Sequence, residues 1–193
     1  MGATALKRSE FDSRAGFSES RLLTIWGGIS RTRKGMSGSI MIISNQSRTR
    51  FLLQRKDDTH PRPELRGKLC LFGGAIESSE HPAETLDREV TEEFSHPDAA
   101  ELLISNSKPW RIFPTLLDRK IIHHVGFVFE TVLGDLHFQK LEKLCFQSAI
   151  VTEGIPYSVS REELLDLLGQ PEEFIFGHEE ILAEYCARRA LFE

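Results

Sequence analysis

Cysteine is scarce in this chain, and the few cysteines lie far apart. The 193 residues contain three of them, Cys70, Cys145 and Cys186. An odd number at such wide spacing excludes a disulfide scaffold and offers no zinc-binding spacing. We therefore expect all three to be small buried hydrophobic residues.

Long apolar runs are also missing. No run approaches the roughly 18 residues that a membrane-spanning helix needs. The N-terminus shows no apolar stretch followed by a small-residue cleavage site, so we do not expect a signal peptide there. The sequence therefore predicts a protein without membrane association, for which the cytoplasm is the default compartment.

A positive net charge is absent as well. Lys and Arg number 24 against 29 Asp and Glu, which gives a net charge of −5. Without a positive field to attract phosphates, we do not expect nucleic-acid binding. Basic residues are concentrated in residues 1–36, which we interpret as a flexible extension before a folded domain at 37–193. The alternative is an arm that docks on a partner subunit through Leu22, Ile25 and Trp26.

The hydrophobic pattern after residue 37 alternates between strands and helices. The predicted strands comprise a hairpin of residues 40–43 and 51–53, followed by residues 69–72, 111–117, 121–133 and 145–151. The predicted helices comprise residues 81–94, 160–168 and 179–191. The first has Pro82 near its first position, and the second begins with a capping box at Ser160. This mixture favours an α/β or α+β layer arrangement.

The helix predicted at 81–94 carries a cluster of carboxylates. Residues three or four apart are neighbours on a helix, so Glu89, Glu92 and Glu93 share one face. Such a cluster is self-repelling, and divalent cations such as Mg²⁺ or Mn²⁺, which prefer oxygen ligands, would relieve the repulsion. The opposite face carries an apolar stripe of Leu86, Val90 and Phe94. The alternative is an ordinary solvated acidic face.

The spacing around this helix is specific. Residues 74–96 read GAIESSEHPAETLDREVTEEFSH. This segment resembles the signature of the Nudix hydrolase family, G-x5-E-x7-R-E-U-x-E-E-x-G-U, where U is a bulky aliphatic residue. It departs at its end, where Ser95 replaces the final Gly and His96 replaces the aliphatic residue. Because that Gly helps to end the helix, we expect the following loop to take a different path.

The resemblance implies an α/β fold, the Nudix-type α/β/α sandwich with a mixed β-sheet. It implies hydrolysis of a diphosphate linkage in a nucleoside diphosphate derivative, such as a nucleotide sugar or another small nucleotide. Mg²⁺ is the implied cofactor and Mn²⁺ the alternative. Homodimers are common in the family, and residues 22–26 are the candidate contact. The alternative function is a Nudix-fold nucleotide-binding or regulatory module that no longer hydrolyses anything.

The resemblance also assigns roles to residues of the box and its flank. Glu89, Glu92 and Glu93 would bind the metal ion together with the backbone carbonyl of Gly73. Glu92 or Glu93 would also position or deprotonate the attacking water. Glu80 and Arg88 would form a structural ion pair that holds the loop against the helix.

Candidates for substrate binding lie outside the box. Glu130, near the end of the strongest predicted strand, is the first choice for a further acidic residue at the site, and Glu153 is the second. Arg55, at a strand end, is a candidate contact to a phosphate or sugar. The alternatives are an ordinary surface Glu and a solvated Arg.

Overall fold

The computed structural model describes residues 37–117 and 121–190. Its strands are β1 (Ser37–Asn45), β2 (Arg50–Arg55), β3 (Leu69–Cys70), β4 (Phe72–Ala75), β5 (Ser107–Leu117), β6 (Ile121–Leu133) and β7 (Ile155–Ser160). Its helices are α1 (Pro82–Glu93), α2 (Pro97–Asn106), α3 (Asp135–Ser148), α4 (Arg161–Leu167) and α5 (His178–Ala190). The predicted extension of residues 1–36, with its docking arm at 22–26, lies outside the described residues.

The strands pair in the order β3-β2-β1-β6-β5, with β4 on β1 and β7 on β2. β1 and β2 form the predicted hairpin, in which Ile43 lies opposite Leu52. β7 runs antiparallel along β2, and β6 runs antiparallel along β5. The prediction of an α/β fold with a mixed sheet is thereby confirmed.

Backbone contacts divide the chain into two compact units. The first contains the described residues up to Met41 together with Gly73–Thr131, and the second contains Ile42–Phe72 and the described residues from Val132 onward. In the first unit the buried side chains include Leu86, Val90, Phe94, Leu103, Phe127 and Phe129. In the second they include Phe51, Leu52, Phe138, Leu141, Leu182 and Tyr185. The predicted domain boundary at residue 37 remains a prediction.

Helix α1 forms as the sequence predicts. Pro82 occupies its first position, where a missing N–H leaves no hydrogen bond unmade. Before it, the His81 side chain accepts from the backbone N of Ala83 at 3.3 Å, and Glu84 accepts from the backbone N of His81 at 2.8 Å. This reciprocal cap satisfies N–H groups that the first helical turn leaves without partners.

The strand predicted over residues 145–151 is wrong. Cys145 lies in α3, which ends at Ser148, and Ala149 then adopts the left-handed conformation with φ of 48°. The side chains of Phe138, Leu141 and Cys145 are buried. Their spacing of three and then four residues is the helical signal that identifies α3.

Helix α2 is absent from the sequence predictions. It begins with Pro97 and has Asp98 in its first turn, which are both typical of a helix start. It buries Ala99, Ala100 and Leu103. The strand predicted from residue 111 begins earlier, at Ser107, directly after this helix.

The three cysteines are free and buried, as predicted. Burial raises the pKa of the Cys145 thiol to about 12, so it remains protonated at neutral pH. Among the residues that the structure describes, every helix is too short or too polar to cross a membrane.

Candidate active site

The box of residues 74–96 lies in the first unit, on β4, the loop after it and α1. Its centre is the guanidinium group of Arg88. Arg88 Nε donates to Glu80 Oε1 at 2.8 Å, and Nη2 donates to Glu80 Oε2 and to the carbonyl oxygen of Ala75, both at 3.1 Å. Nη1 donates to Glu89 Oε1 at 2.7 Å and to Glu92 Oε2 at 3.2 Å. A guanidinium has about five N–H groups, so each one here has an acceptor.

The carboxylate of Glu80 accepts four hydrogen bonds. Besides the two bonds from Arg88, its Oε2 accepts from the hydroxyl of Thr85 at 2.8 Å and from the backbone N of Glu77 at 3.1 Å. These donors, Arg88 first, hold the pKa of Glu80 at about 2. Oε2 accepts three of the four bonds and Oε1 accepts one, so both oxygen atoms of the carboxylate are engaged. Glu80 therefore suits a structural role better than a metal-binding role.

The three carboxylates predicted to bind a metal ion, those of Glu89, Glu92 and Glu93, have different surroundings. Glu93 is 1% exposed, and its Oε2 accepts from the backbone N of Gly73 at 2.7 Å. The side chain of Glu89 is 14% exposed and that of Glu92 is 54% exposed, and both bind Arg88 Nη1. Glu93 is thus directed to the backbone of β4, whereas Glu89 and Glu92 converge on one nitrogen atom.

Gly73 and Gly74, a glycine pair at the start of the box, permit two close approaches. Gly73 has φ of 119°, and a Cβ there would overlap the carbonyl oxygen of Ser39 on β1. At Gly74 a Cβ would overlap the carboxylate of Glu89. Glycine has no Cβ and adopts a positive φ without strain. Gly73 therefore lets β4 approach β1 closely, and Gly74 lets the Glu89 carboxylate approach the backbone of β4.

The carboxylates of Glu89 and Glu92 are oxygen ligands of the kind that a divalent cation prefers. The carboxylate of Glu89 lies in a cradle against Gly74 that any Cβ would fill, and the carboxylate of Glu92 is turned toward the same Arg88 nitrogen. Mg²⁺ is usually held by one or two carboxylates, with waters and substrate phosphates completing its shell. In the part of the chain that the structure describes, no three His, Cys, Asp or Glu side chains form a metal-binding group. The ligand roles of the three carboxylates and Gly73 remain predictions.

The end of α1 shows how the box accommodates Ser95. The helix is capped by Phe94 in an extended conformation, with φ of −113° and ψ of 103°. Ser95 does not have a positive φ either, and α2 begins two residues later. A left-handed glycine is therefore not required at this helix end.

Arg55 lies in the second unit, at the end of β2. Its Nη1 donates to the carbonyl oxygen of Gly67 at 2.7 Å and lies 3.9 Å from Glu173 Oε2. Its guanidinium carbon lies 4.6 Å from the ring centre of Tyr157. Arg55 is therefore held by its own unit rather than fully solvated, and its predicted role in substrate binding remains a prediction.

The two acidic candidates outside the box lie in different units. Glu130 is half-buried on β6, opposite Lys108 on β5. Glu153 is exposed and lies 3.7 Å from the ammonium group of Lys56. The role of Glu130 at the site remains a prediction, as does that of Glu153.

The sequence analysis does not single out Thr85, which contacts the site, or Asp87, which is partly buried on the same helix. Thr85 is fully buried and donates to Glu80. Burial raises the pKa of Asp87 to about 6, and the nearby negative charge of Glu84 contributes to the same shift. The sequence offers one indication of the role of Thr85. It lies next to Leu86 of the apolar stripe, and a polar side chain that is buried there needs a hydrogen-bond partner.

Comparison with known proteins identifies the family. The NUDIX domain family matches residues 36–149, which is more than half of the chain. The chain therefore belongs to the NUDIX family, as the box predicts. This membership places it among hydrolases that act on pyrophosphate bonds.

Solved structures resemble the chain in fold. A mutT/nudix family protein from Listeria innocua is 19% identical, with a TM-score of 0.55 over 84% of this chain and 98% of its own. A bifunctional NMN adenylyltransferase/ADP ribose pyrophosphatase from Francisella tularensis, complexed with AMP and a Mn ion, is 13% identical, with a TM-score of 0.57 over 88% of this chain and 47% of its own. No curated protein matches the chain. At these identities the likeness shows the fold alone.

Proposed function

We propose that this protein hydrolyses a diphosphate linkage in a nucleoside diphosphate derivative, such as a nucleotide sugar or another small nucleotide, with Mg²⁺ or Mn²⁺. The observation that carries the proposal is the intact carboxylate helix, in which Arg88 joins Glu80, Glu89 and Glu92. Similar structures support it, since one is a bifunctional NMN adenylyltransferase/ADP ribose pyrophosphatase complexed with AMP and a Mn ion and another is an E. coli dihydroneopterin triphosphate pyrophosphohydrolase.

The charges of the site support the need for a cation. Three carboxylates, those of Glu80, Glu89 and Glu92, bind one guanidinium, which uses four of its N–H groups on them. Such a site repels a diphosphate by its excess negative charge. A divalent cation on Glu89 and Glu92 would neutralise phosphate charge and lower the pKa of a bound water.

Differences in exposure support different roles for the two candidate bases. Glu92 is half-exposed, so its carboxylate is accessible to a water molecule, which it could orient and deprotonate. Glu93 is buried and holds the N–H of Gly73. In this proposal Glu92 accepts a proton from the attacking water, and Glu93 holds the backbone of Gly73 against α1.

Hydrolysis of the diphosphate linkage yields two phosphate monoesters and no free phosphate. A coupled assay, in which an added phosphatase releases phosphate from these products, therefore tests the proposal over a panel of nucleoside diphosphate derivatives with Mg²⁺ and with Mn²⁺. We expect turnover of at least one class, and a loss of at least about 100-fold in Glu92→Gln and in Glu93→Gln, because each removes a charged group at the site. Glu101→Gln on α2 removes an exposed carboxylate elsewhere and serves as the control. Near-normal rates in both site variants would contradict the assigned roles.

The alternative of a module without hydrolytic activity is motivated by Ser95 and His96. The extended end of α1 weakens that motive, because the position of Ser95 does not require glycine. Calorimetry distinguishes the two functions. Nucleotide binding that persists without a divalent cation, in folded protein that turns over no substrate of the panel, would favour the module.

A further inference from the structure

Thr85 uses its hydroxyl group in an unusual way for a helical threonine. In a helix, Thr commonly donates its hydroxyl to the carbonyl oxygen four residues earlier. Thr91 does so, because its Oγ1 donates to the carbonyl oxygen of Asp87 at 2.7 Å. Thr85, on the same helix, instead donates to Glu80 Oε2 at 2.8 Å. Its hydroxyl therefore serves the site rather than the helix backbone.

The bond from Thr85 is the start of a continuous chain of contacts. Glu80 Oε2 also accepts from Arg88 Nη2, and Glu80 Oε1 accepts from Arg88 Nε. The same guanidinium reaches Glu89 and Glu92 through Nη1. Because a guanidinium is planar and rigid, the orientation of Glu80 determines where Nη1 points.

We infer that Thr85 is a positioning residue for the carboxylates of the box: its hydroxyl fixes Glu80, Glu80 fixes the plane of Arg88, and Arg88 sets the directions of Glu89 and Glu92. The inference rests on the proposed function, because it concerns carboxylates proposed to hold a divalent cation. Thr85 is completely buried, so it acts without contact to solvent.

The alternative is a purely structural role, in which the buried side chain of Thr85 fills space beside the apolar stripe. The two roles differ in what they require. A space-filling role needs the shape of the side chain, which Val reproduces. A positioning role needs the hydroxyl, which Ser retains and which Val and Ala lack.

The test compares Thr85→Val, Thr85→Ser and Thr85→Ala with wild type, and uses Thr91→Val as the matched control on the same helix. Two quantities are measured: the dissociation constant of Mn²⁺ by calorimetry without substrate, and the Mg²⁺ concentration that gives half-maximal turnover. Partners one contact removed from a metal ligand typically change affinity about 10- to 100-fold, and Thr85 lies further away. We therefore expect increases of about 3- to 10-fold in both quantities for Thr85→Val and Thr85→Ala.

Thr85→Ser is expected to stay within about 2-fold of wild type, and so is Thr91→Val, because neither removes a donor from Glu80. If Thr85→Val does not fold, the pair Thr85→Ala and Thr85→Ser still isolates the hydroxyl, since these two side chains differ by that group alone. An unchanged Mn²⁺ dissociation constant in Thr85→Val and Thr85→Ala would overturn the inference. Equal weakening in Thr85→Ser would overturn it as well.

Failure of the proposed function gives a different result. If wild type binds Mn²⁺ but turns over no substrate, the hydrolytic proposal fails, and the calorimetric series still decides the role of Thr85. If wild type binds no Mn²⁺, the inference about Thr85 is overturned whatever the turnover assay shows.

Discussion

Replacing Glu80 with Gln should destabilise the protein in a pH-dependent way. Glu80 accepts four hydrogen bonds, including two from Arg88 and one from Thr85. Gln keeps one acceptor oxygen, but it turns an NH₂ group toward donors and removes the negative charge next to the guanidinium. We therefore expect Glu80→Gln to lower the free energy of unfolding at neutral pH.

The size of the effect follows from the pKa of Glu80, which these bonds lower from 4.5 to about 2. At about 1.4 kcal/mol per pKa unit, this shift corresponds to an upper bound of roughly 3 kcal/mol. The side chain is 22% exposed, so solvent screens part of the interaction. We expect a loss of about 1–2 kcal/mol at pH 7.

The sign of the pH dependence is fixed by the same shift. Because the pKa in the folded state lies below that in the unfolded state, the contribution is complete above a pH of about 5 and is lost as the pH falls toward about 2. Urea unfolding at about pH 7 and about pH 3 should therefore give a difference between wild type and Glu80→Gln that is smaller at the lower pH. Glu101→Gln is the control for removing one carboxylate. A difference that is equal at both pH values, or no larger than in the control, would refute the reasoning.

The glycine pair and the helix end give two further predictions. Gly74→Ala should displace the carboxylate of Glu89, a flexible side-chain end, so Mn²⁺ affinity measured by calorimetry should fall at least about 10-fold with little change in Tm. Gly73→Ala should instead cost more than about 2 kcal/mol of stability, because it forces a Cβ against the backbone of Ser39 at positive φ; equal changes of Tm in both variants would contradict this difference. Ser95→Gly should lower the stability by about 0.5–1 kcal/mol, since it adds chain entropy at a position that is not left-handed, and a raised Tm would argue against that account.

The elements that the sequence predicts are those with local signals. Pro82 marks the start of α1, and Ser160 with Glu163 forms the predicted capping box of α4. These signals depend on residues within one helical turn, so they can be recognised without knowledge of the fold. The hairpin of β1 and β2 is predicted for the same reason, because its polar turn separates two apolar runs.

The elements that the sequence analysis misses have weaker or mixed signals. In α3 the buried positions are at helical spacing, but Ile150 and Val151 follow directly and favour a strand. In α2 the start is marked only by Pro97 and Asp98, after the box has departed from its usual ending. Both helices bury apolar side chains at helical spacing, a pattern that is hard to recognise beside these competing signals.

At the site, the spacing of the box identifies the charged residues but not their partners. Glu92 and Glu93 are adjacent in the sequence, yet one side chain is 54% exposed and the other residue is 1% exposed. The difference arises because Gly73 is brought against α1, which in turn depends on its close approach to Ser39 on β1. Thr85 is likewise recognisable only once its burial and its bond to Glu80 are known.

The structure also revises the physical reason for the carboxylate cluster. The sequence suggests that a divalent cation relieves the repulsion among the three glutamates. In the structure Arg88 already binds Glu89 and Glu92, and the N–H of Gly73 already binds Glu93. These bonds already offset the repulsion among the three glutamates, and in the proposed function a cation on Glu89 and Glu92 would compete with Arg88 Nη1 for their oxygen atoms. Because Glu80 holds the other side of the guanidinium, Arg88 would release those oxygens to a cation without leaving the site. If the proposed function holds, the ion pair of Glu80 and Arg88 would then contribute to metal affinity as well as to structure.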